Sequence, residues 1–199
     1  MTEPQARARC AALVLAAGRG TRFGSDKRKA VLADGQGLLA STLKQVQACF
    51  DPVYVVVRCD DDPQTLGIDA QVHIVRAAQA ADGMGASLAA GITALASIDA
   101  PAVAVLLGDM PWIAPRTFEH LLGHLAAERI LLPCYQGRRG HPVIFGRHFW
   151  AALTRLHGDQ GGRPVIEANP HACLVLDLDD PGILRDIDTP ADIRLHRLE

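Results

Sequence analysis

The sequence is poor in aromatic residues and has no strong excess of either charge, and both shortages exclude classes of partner. Only 5% of the 199 residues are Phe, Trp or Tyr, which leaves little material for the stacking surfaces that bind single-stranded nucleic acid. The formal net charge is −2 at pH 7, so no general positive field attracts nucleic acid or acidic lipid. We therefore expect neither a nucleic acid nor a membrane surface as a partner.

The chain also lacks long apolar runs and paired cysteines. Its longest uncharged stretch, 83–98, contains Gly, Ser and Thr and falls short of the roughly 20 apolar residues that span a bilayer. The five cysteines are scattered and include no C-x-x-C pair, so neither a disulfide framework nor a zinc site is expected. A weak signal-peptide pattern before Ala17 is rejected, because cleavage there would remove the strand that leads into the first motif. We expect reduced cysteines and a cytoplasmic location.

What the sequence has instead is an alternation of apolar and helical segments. Runs of Val, Ile and Leu that are apolar on both faces predict a mostly parallel sheet covered on both sides by helices. The length suits one domain, and no linker divides it, so we expect a single α/β domain over 1–199. Strands are predicted at 10–15, 53–57, 102–107, 130–132 and 172–176, with weaker signals at 72–75 and 142–145. Helices are predicted at 38–50, 84–97, 115–127 and 146–157, and a terminal helix is predicted to open at Thr189-Pro190 with Asp192 at its third position.

The loop after the first strand carries the strongest chemical signal. Its sequence, 15–27, combines three glycines with Arg19, Arg22 and Lys27, and glycine-rich backbone with basic side chains attracts phosphate. The spacing G-x-G-x-x-x-G is one residue too long for the dinucleotide fingerprint, and the G-K-[ST] ending of a P-loop is missing. We therefore predict a polyphosphate-binding loop that belongs to neither of these two types. The basic run leaves Lys27 and Lys29 as alternatives for the phosphate contact, and spacing from Gly24 favours Lys27.

A candidate metal-binding carboxylate follows a later predicted strand. Asp109 follows the apolar run 103–107 directly, at the sheet edge where ligands of open α/β sheets bind. Mg²⁺ that accompanies a nucleotide is held by one or two carboxylates. Asp186 and Asp188 alternate by two and therefore share a face on extended backbone. Each is a candidate for the second metal ligand.

Five motifs occur in the order found in a known family. They are L-A-A-G-x-G-x-R-x-G-x-x-K at 15–27, G-M-G-A-S-L at 83–88 with Gly91, L-G-D-M-P at 107–111, R-G-H-P at 139–142 with G-D-Q-G-G-R at 158–163, and D-I-D-T-P-A-D at 186–192. In these motifs the chain resembles the MobA-like NTP transferases from about residue 11 to 194. The resemblance implies a Rossmann-like three-layer sandwich of the nucleotide-diphospho-sugar-transferase type.

The resemblance also implies roles for individual residues. The implied catalytic residues are Arg22, Lys27 and Asp109. The implied nucleotide-binding residues are Leu15, Ala16, Ala17, Gly18, Gly20, Thr21, Ser87 and Gly108. The implied acceptor-binding residues are His141, Asp159 and Arg163, and the implied metal ligands are Asp109 with Asp188, or with Asp186 in its place. Ser87 is open to a second interpretation as a helix N-cap.

The implied activity is Mg²⁺-dependent transfer of a nucleoside monophosphate, with Mn²⁺ as a substitute metal. Ala17 is typical of the cytidylyl branch, so CTP is the favoured nucleotide and molybdopterin or molybdenum cofactor the favoured acceptor. A molybdoenzyme would then receive the product. Two alternatives stay open: transfer to methylerythritol phosphate or a sugar phosphate, and a non-catalytic carrier that binds nucleotide or cofactor.

Overall fold

The sheet is built outward from β1 (Cys10–Leu15), whose six residues are all buried. The computed structural model describes residues 10–18 and 23–195. An apolar side chain at every position of β1 requires cover on both faces of the sheet, because successive side chains point to opposite sides. Cys10, Ala12 and Val14 enter one apolar cluster, and Ala11, Leu13 and Leu15 enter the other. β1 is therefore an interior strand of a sheet with two cores.

The other strands follow in the order β3-β2-β1-β4-β7-β5-β6, and β8 pairs with β5. Their bounds are β2 Val53–Arg58, β3 His73–Ala77, β4 Ala102–Leu107, β5 Ile130–Tyr135, β6 Arg138–Arg139, β7 Val143–Gly146 and β8 Cys173–Asp177. Strands β3, β2, β1 and β4 are parallel, as are β5 and β8. β7 is antiparallel to both β4 and β5, and β6 is antiparallel to β5. The predicted mostly parallel sheet is confirmed.

Helices cover both faces of this sheet. Helices α1 (Leu38–Gln47) and α3 (Pro115–Leu122) pack on the face of Ala12 and Val14, through residues such as Leu43 and Phe118. Helices α2 (Met84–Ala94), α4 (Trp150–Leu153) and α5 (Arg163–Ala168) pack on the other face. The last helix is α6 (Pro190–Leu195). This arrangement is the predicted three-layer sandwich.

The segment 146–157 differs most from its predicted form as one continuous helix. It consists of a 3-10 turn (Arg147–Phe149) followed by the four-residue α4. The backbone N–H groups of Arg155 and Leu156 donate to the carbonyls of Ala152 and Leu153, three residues back instead of four, so the α-helical pattern ends at Leu153 and the chain leaves the helix in tighter turns. The short elements β6 and α5 carry no clear periodic signal and were not predicted.

The carboxyl ends of β1 and β4 meet at one edge of the sheet. Leu15 and Leu107 are partners in the parallel register, and the Gly108 N–H donates to the Leu15 carbonyl at 2.9 Å. A side chain at Gly108 would approach Ala16 and Leu39 within 3.0 Å, which explains the glycine there. The residues that follow the two strands, Ala16–Gly18 and Asp109, are thereby neighbours.

Within the two described ranges of the chain, every helix is too short or too polar to cross a membrane. The longest, α2, has 11 residues, about half of what a bilayer requires.

Candidate active site

A cleft of about 760 Å³ opens at the edge where β1 and β4 end. Its position agrees with the rule that open α/β sheets bind ligands beyond the carboxyl ends of their strands. Most of the residues singled out from the sequence line it. They are Leu15, Ala16, Ala17, Gly18, Lys27, Ser87, Gly108, Asp109, Asp159, Asp186 and Asp188. Gly20, Thr21 and Arg22 lie outside the described residues, and their predicted roles stay predictions.

Three carboxylates converge at one end of the cleft. Asp109 follows β4, while Asp186 and Asp188 come from the extended segment before α6, which the Ile187 N–H attaches to the Asp109 carbonyl at 3.1 Å. The buried Ile187 side chain packs with Leu32 and Leu38, so the segment has an apolar anchor between its two acidic residues. One ligand oxygen from each aspartate lies within 4.8 Å of the others.

This acidic triad, Asp109, Asp186 and Asp188, fits a divalent cation. Asp109 Oδ1 is buried and has no hydrogen-bond partner among the described residues, and such an atom is costly unless a ligand satisfies it. Burial raises the pKa of the Asp186 carboxyl, and the neighbouring carboxylates raise it further. A bound cation would relieve this repulsion. An all-oxygen donor set with few carboxylates is the type that Mg²⁺ and Mn²⁺ accept.

Lys27 connects the segment after β1 to the acidic triad. Its Nζ lies 2.6 Å from Asp109 Oδ2 and 3.1 Å from Asp188 Oδ1, and it also donates to the Ile187 carbonyl. Burial opposes the charge of this ammonium, but the hydrogen bonds and charges of the two aspartates outweigh burial and raise the pKa of Lys27. Lys27 is therefore a cation that contacts the same carboxylates a metal would use. Lys29 is exposed and does not line the cleft.

The short helix that contains these lysines explains why they differ. Residues Lys27–Lys29 form one 3-10 turn, capped by the Asp26 side chain, which accepts from the Arg28 N–H. With three residues per turn, successive side chains point about 120° apart. Lys27 thus enters the cleft, Arg28 turns into the protein and Lys29 faces solvent. The structure favours Lys27 over Lys29 as the lysine available to a ligand.

The opposite side of the cleft is formed by the N-terminus of α2 and the loop after α4. The Gly85 N–H donates to the Gly158 carbonyl at 2.7 Å, and Gly83 adopts a φ of +107°. A Cβ at Gly83 would lie 2.5 Å from the Gly158 backbone and would also collide with the Asp159 carboxylate. Asp159, a predicted acceptor residue, is thereby held beside the N-terminus of α2.

Ser87 is not the N-cap of this helix, in contrast to the second interpretation of the sequence. Gly83 occupies the cap position, and Ser87 lies one turn further in, where its Oγ donates to the Gly83 carbonyl at 3.4 Å. Ser87 is nearly buried and lines the cleft.

His141 and Arg163 do not line the cleft. His141 Nδ1 lies 3.5 Å from the Val105 carbonyl, and burial lowers the pKa of its imidazole. The Arg163 side chain is 73% exposed and pairs with Glu167 at 2.6 Å. Their predicted acceptor contacts stay predictions, and Arg163 would have to leave its surface ion pair to make one.

Sequence reasoning missed an ionic cluster beside the loop after β1. Arg28 is 5% exposed and forms ion pairs with Asp26 and Asp61, and Arg58 joins both carboxylates. We call Asp26, Arg28, Arg58 and Asp61 the loop cluster. Three adjacent basic residues suggested only a phosphate-binding patch. The one available signal was Asp26, whose position before a short turn is typical of a cap.

The three-layer sandwich, with a glycine-containing loop and an acidic triad at one cleft, defines the chain as a nucleotidyltransferase. A family model described as the MobA-like NTP transferase domain matches residues 12–173. The chain therefore belongs to the MobA-like NTP transferase family.

Individual relatives agree with this assignment. The purine catabolism protein PucB of Bacillus subtilis is 28% identical over 195 residues, which cover 92% of this chain and 93% of PucB. A solved homologue of Rv0371c from Mycobacterium sp. strain JC1 is 29% identical, with a TM-score of 0.79 over 97% of this chain and 100% of the homologue. Rv0371c from Mycobacterium tuberculosis H37Rv, solved in complex with manganese, is 26% identical, with a TM-score of 0.73 over 94% of this chain and 97% of that one.

Proposed function

We propose that this protein transfers CMP from CTP to a phosphorylated small molecule, with molybdopterin or molybdenum cofactor as the leading acceptor, and releases pyrophosphate. The observation that carries the proposal is the position of Lys27 and the acidic triad. They line the same cleft as Ala16–Gly18 after β1 and Asp159 after α4. In this proposal Lys27 binds the triphosphate and the acidic triad binds a metal, where the nucleotide and the phosphorylated acceptor meet. We assign the whole chain, 1–199, to one such domain.

The reaction requires one bond to form and one to break. A phosphate oxygen of the acceptor attacks the α-phosphorus of CTP, and the bond between that phosphorus and the bridging β-oxygen breaks, so that pyrophosphate leaves in line. The protein itself needs to form no covalent bond with the substrates, because phosphoryl-type transfer depends mainly on alignment and charge stabilisation. In this proposal the backbone of Ala16–Gly18 and the side chain of Lys27 hold the triphosphate, and Arg22 adds a second positive charge.

The acidic triad supplies the metal ligands in this scheme. Asp109 and Asp188 would hold Mg²⁺, with Asp186 as the alternative partner and Mn²⁺ as a substitute metal. When bound, Mg²⁺ would neutralise negative charge on the reacting phosphates. The side chains of His141, Asp159 and Arg163 are the proposed acceptor contacts.

The nucleotide preference rests on the loop and on the cleft wall. Ala17 matches the cytidylyl type of the family, and Ser87 offers a hydroxyl on a cleft wall otherwise rich in alanines, Ala77, Ala78, Ala80 and Ala81. A polar contact to the base edge discriminates strongly, because the wrong base leaves a buried group unpaired. In this proposal the protein works in the cytoplasm, where thiols stay reduced, and a molybdoenzyme there receives the product.

A pyrophosphate-release assay tests the proposal directly. The purified protein is incubated with Mg²⁺ or Mn²⁺ and each of the four NTPs, with and without molybdopterin, and in parallel with methylerythritol phosphate or a sugar phosphate. The expected result is release that requires CTP, metal and molybdopterin together. Release with a different phosphorylated acceptor would keep the nucleotidyltransferase and reject molybdopterin. Nucleotide binding without pyrophosphate under every condition would favour a carrier and overturn the proposal.

A further inference from the structure

The Arg28 guanidinium has no hydrogen-bonding capacity left for a ligand. Nε donates to Asp26 Oδ1, Nη1 donates to Asp61 Oδ2 and to the Ala16 carbonyl, and Nη2 donates to Asp26 Oδ2 and Asp61 Oδ1. These are five hydrogen bonds of 2.5 to 2.8 Å, and a guanidinium has five N–H donors. Arg28 borders the cleft, yet it has no free donor with which to bind a phosphate.

The partners of Arg28 belong to three separate parts of the chain. Ala16 is the first residue after β1, Asp26 precedes the 3-10 turn, and Asp61 follows β2. Asp61 is itself fixed, because its side chain accepts from the Arg58 N–H at 2.8 Å and from the Arg58 guanidinium. One buried side chain therefore ties the beginning and the end of the segment 16–28 to each other and to the sheet.

The charges in the loop cluster favour one fixed arrangement. Burial opposes ionisation of Asp61, but hydrogen bonds from Arg28 and Arg58 outweigh it and hold the pKa of that carboxyl well below its usual range. A buried ion pair loses much of its solvation, and the loss is offset only when geometry is good and each donor is satisfied. Lysine cannot reproduce this, because an ammonium lacks the planar fork that reaches two carboxylates and a carbonyl together.

We propose that Arg28 is a positioning residue for nucleotide binding, which holds Ala16–Gly18 and Lys27 in the geometry that a triphosphate requires. This inference rests on the proposed function. Arg28 acts through its neighbours: it binds the carbonyl at the start of the loop, and it shares a single 3-10 turn with Lys27. When Arg28 is fixed in the protein, the direction of Lys27 about 120° away is fixed as well.

The main test is Arg28→Lys, which keeps the charge and removes the fork. We expect the affinity for a non-hydrolysable CTP analogue to fall at least tenfold and the KM for CTP to rise by a similar factor. The KM for the acceptor should change less than twofold. Hydrogen exchange at the amides of 16–18 and 27–29, measured without nucleotide, should accelerate.

A double variant separates positioning from stability. Arg28→Met with Asp61→Leu removes both buried charges, and replacement of a buried pair by apolar residues often restores stability. We expect its melting temperature to recover toward the wild-type value while analogue affinity stays at least tenfold weakened. Recovery of affinity together with stability would show a merely structural role and overturn the proposal.

The matched control is Arg147→Lys. Arg147 also donates to two backbone carbonyls, those of Ile98 and Ala96, but it belongs to the 3-10 turn after β7, away from the cleft. Analogue affinity and exchange in 16–18 should remain at wild-type values. An equal loss of affinity in this control would overturn the proposal.

The two proposals fail in different ways. If the wild-type protein binds no nucleotide, the proposed function is wrong, and hydrogen exchange alone then decides whether Arg28 fixes the loop. If the wild type binds the analogue and Arg28→Lys binds it equally well, the proposed function stands and the positioning role is rejected.

Discussion

At the scale of single residues, one ion pair joins the two motifs that follow β1 and β4. Lys27 comes from the loop after β1 and Asp109 from the end of β4, and their charged atoms lie 2.6 Å apart. The carboxylate that would hold a metal is thus already neutralised by the lysine that would hold a phosphate. A metal bound at the acidic triad would compete with the Lys27 ammonium for Asp109 and Asp188, so under the proposed function metal binding and phosphate binding would be coupled.

This competition predicts opposite effects of Lys27→Ala on two ligands. Mn²⁺ affinity in the absence of nucleotide should increase severalfold, because no ammonium then competes for the carboxylates. Affinity for a CTP analogue should fall, because a positive charge close to phosphate is lost. Titration calorimetry with each ligand measures both, and exposed Lys29 provides the control variant Lys29→Ala. Weaker Mn²⁺ binding in Lys27→Ala would contradict the competition.

Asp109→Asn tests the carboxylate itself. The amide keeps the shape of the side chain and removes its charge, so we expect a folded protein with turnover reduced about a hundredfold or more. Pyrophosphate release and Mn²⁺ titration are the measurements. Asp99→Asn, an exposed position before the opposite end of β4, should leave both unchanged. Near wild-type turnover in Asp109→Asn would exclude Asp109 as a metal ligand.

The sequence predicts the members of the acidic triad better than the residues that orient them. Asp109 is recognisable because a carboxylate follows a run of apolar residues, and Asp186 and Asp188 because they alternate. Arg28 is not recognisable, because its direction depends on a 3-10 turn and its partner Asp61 lies 33 residues away. Contacts between distant segments are decided by packing, which a local pattern does not contain.

At the scale of elements, the cleft depends on the close approach of the α2 N-terminus to the 158–159 loop. Gly83 and Gly85 have no room for a side chain at this contact, so the two segments pack backbone to backbone. The contact keeps Asp159 next to the helix that carries Ser87.

Gly83→Ala should therefore destabilise the protein more than a change of φ alone would. Gly83 combines a φ of +107° with a ψ of −179°, a region almost restricted to glycine that costs an alanine about 1–3 kcal/mol, and displacement of the Gly158 backbone adds to this, for a total of about 3 kcal/mol or more. The matched variant is Gly35→Ala, at a φ of +82° with no atom within 4 Å of the added Cβ, and it should show only the smaller cost. Urea unfolding of both proteins measures the difference. Equal decreases in the free energy of unfolding would mean that the 158–159 loop can move away from the added Cβ at no energetic cost.

Regular elements were predictable where one local signal sufficed. β1 and β4 are six apolar residues each, and at α6 the Asp192 carboxylate accepts from the Thr189 N–H at 2.6 Å, as the cap pattern predicted. α4 was predicted too long, because the apolar periodicity of 146–157 does not reveal that Arg155 and Leu156 donate three residues back, to Ala152 and Leu153. The periodic pattern shows which face is buried but not where the helix ends.

At the scale of the whole molecule, the loop cluster connects a surface loop to the sheet and makes the free energy of unfolding depend on pH. The carboxyl of Asp26 has a lowered pKa because of its bonds with Arg28, and that of Asp61 is lowered by Arg28 and Arg58 despite burial. In the unfolded chain both groups take up protons near pH 4, as ordinary aspartates do (about 3.9). The folded state takes them up only at lower pH.

The free energy of unfolding should accordingly fall as pH decreases below about 4, because the unfolded state then binds more protons than the folded state. The stabilisation that Asp26 and Asp61 contribute is fully present above their pKa in the unfolded chain. It is lost as pH falls through their lower pKa values in the folded state. Asp61→Asn should be less stable at pH 7 but should show a shallower decline between about pH 5 and 2.5. Urea unfolding across this range measures the slopes, with the exposed Asp62→Asn as control. Parallel curves for wild type and Asp61→Asn would contradict the assignment.

The antiparallel direction of β7 has an evolutionary consequence. A parallel strand delivers its last residues to the cleft edge, whereas β7 delivers its first: Val143 pairs with Val105, so the preceding turn that holds His141 lies beside the end of β4. Loops that lead into β7 and loops that leave β1 therefore share an edge but belong to separate stretches of sequence. Under the proposed function, substitutions in the loop before β7 would change the acceptor contacts and leave the nucleotide-binding loop after β1 unchanged, so one scaffold would serve different acceptors.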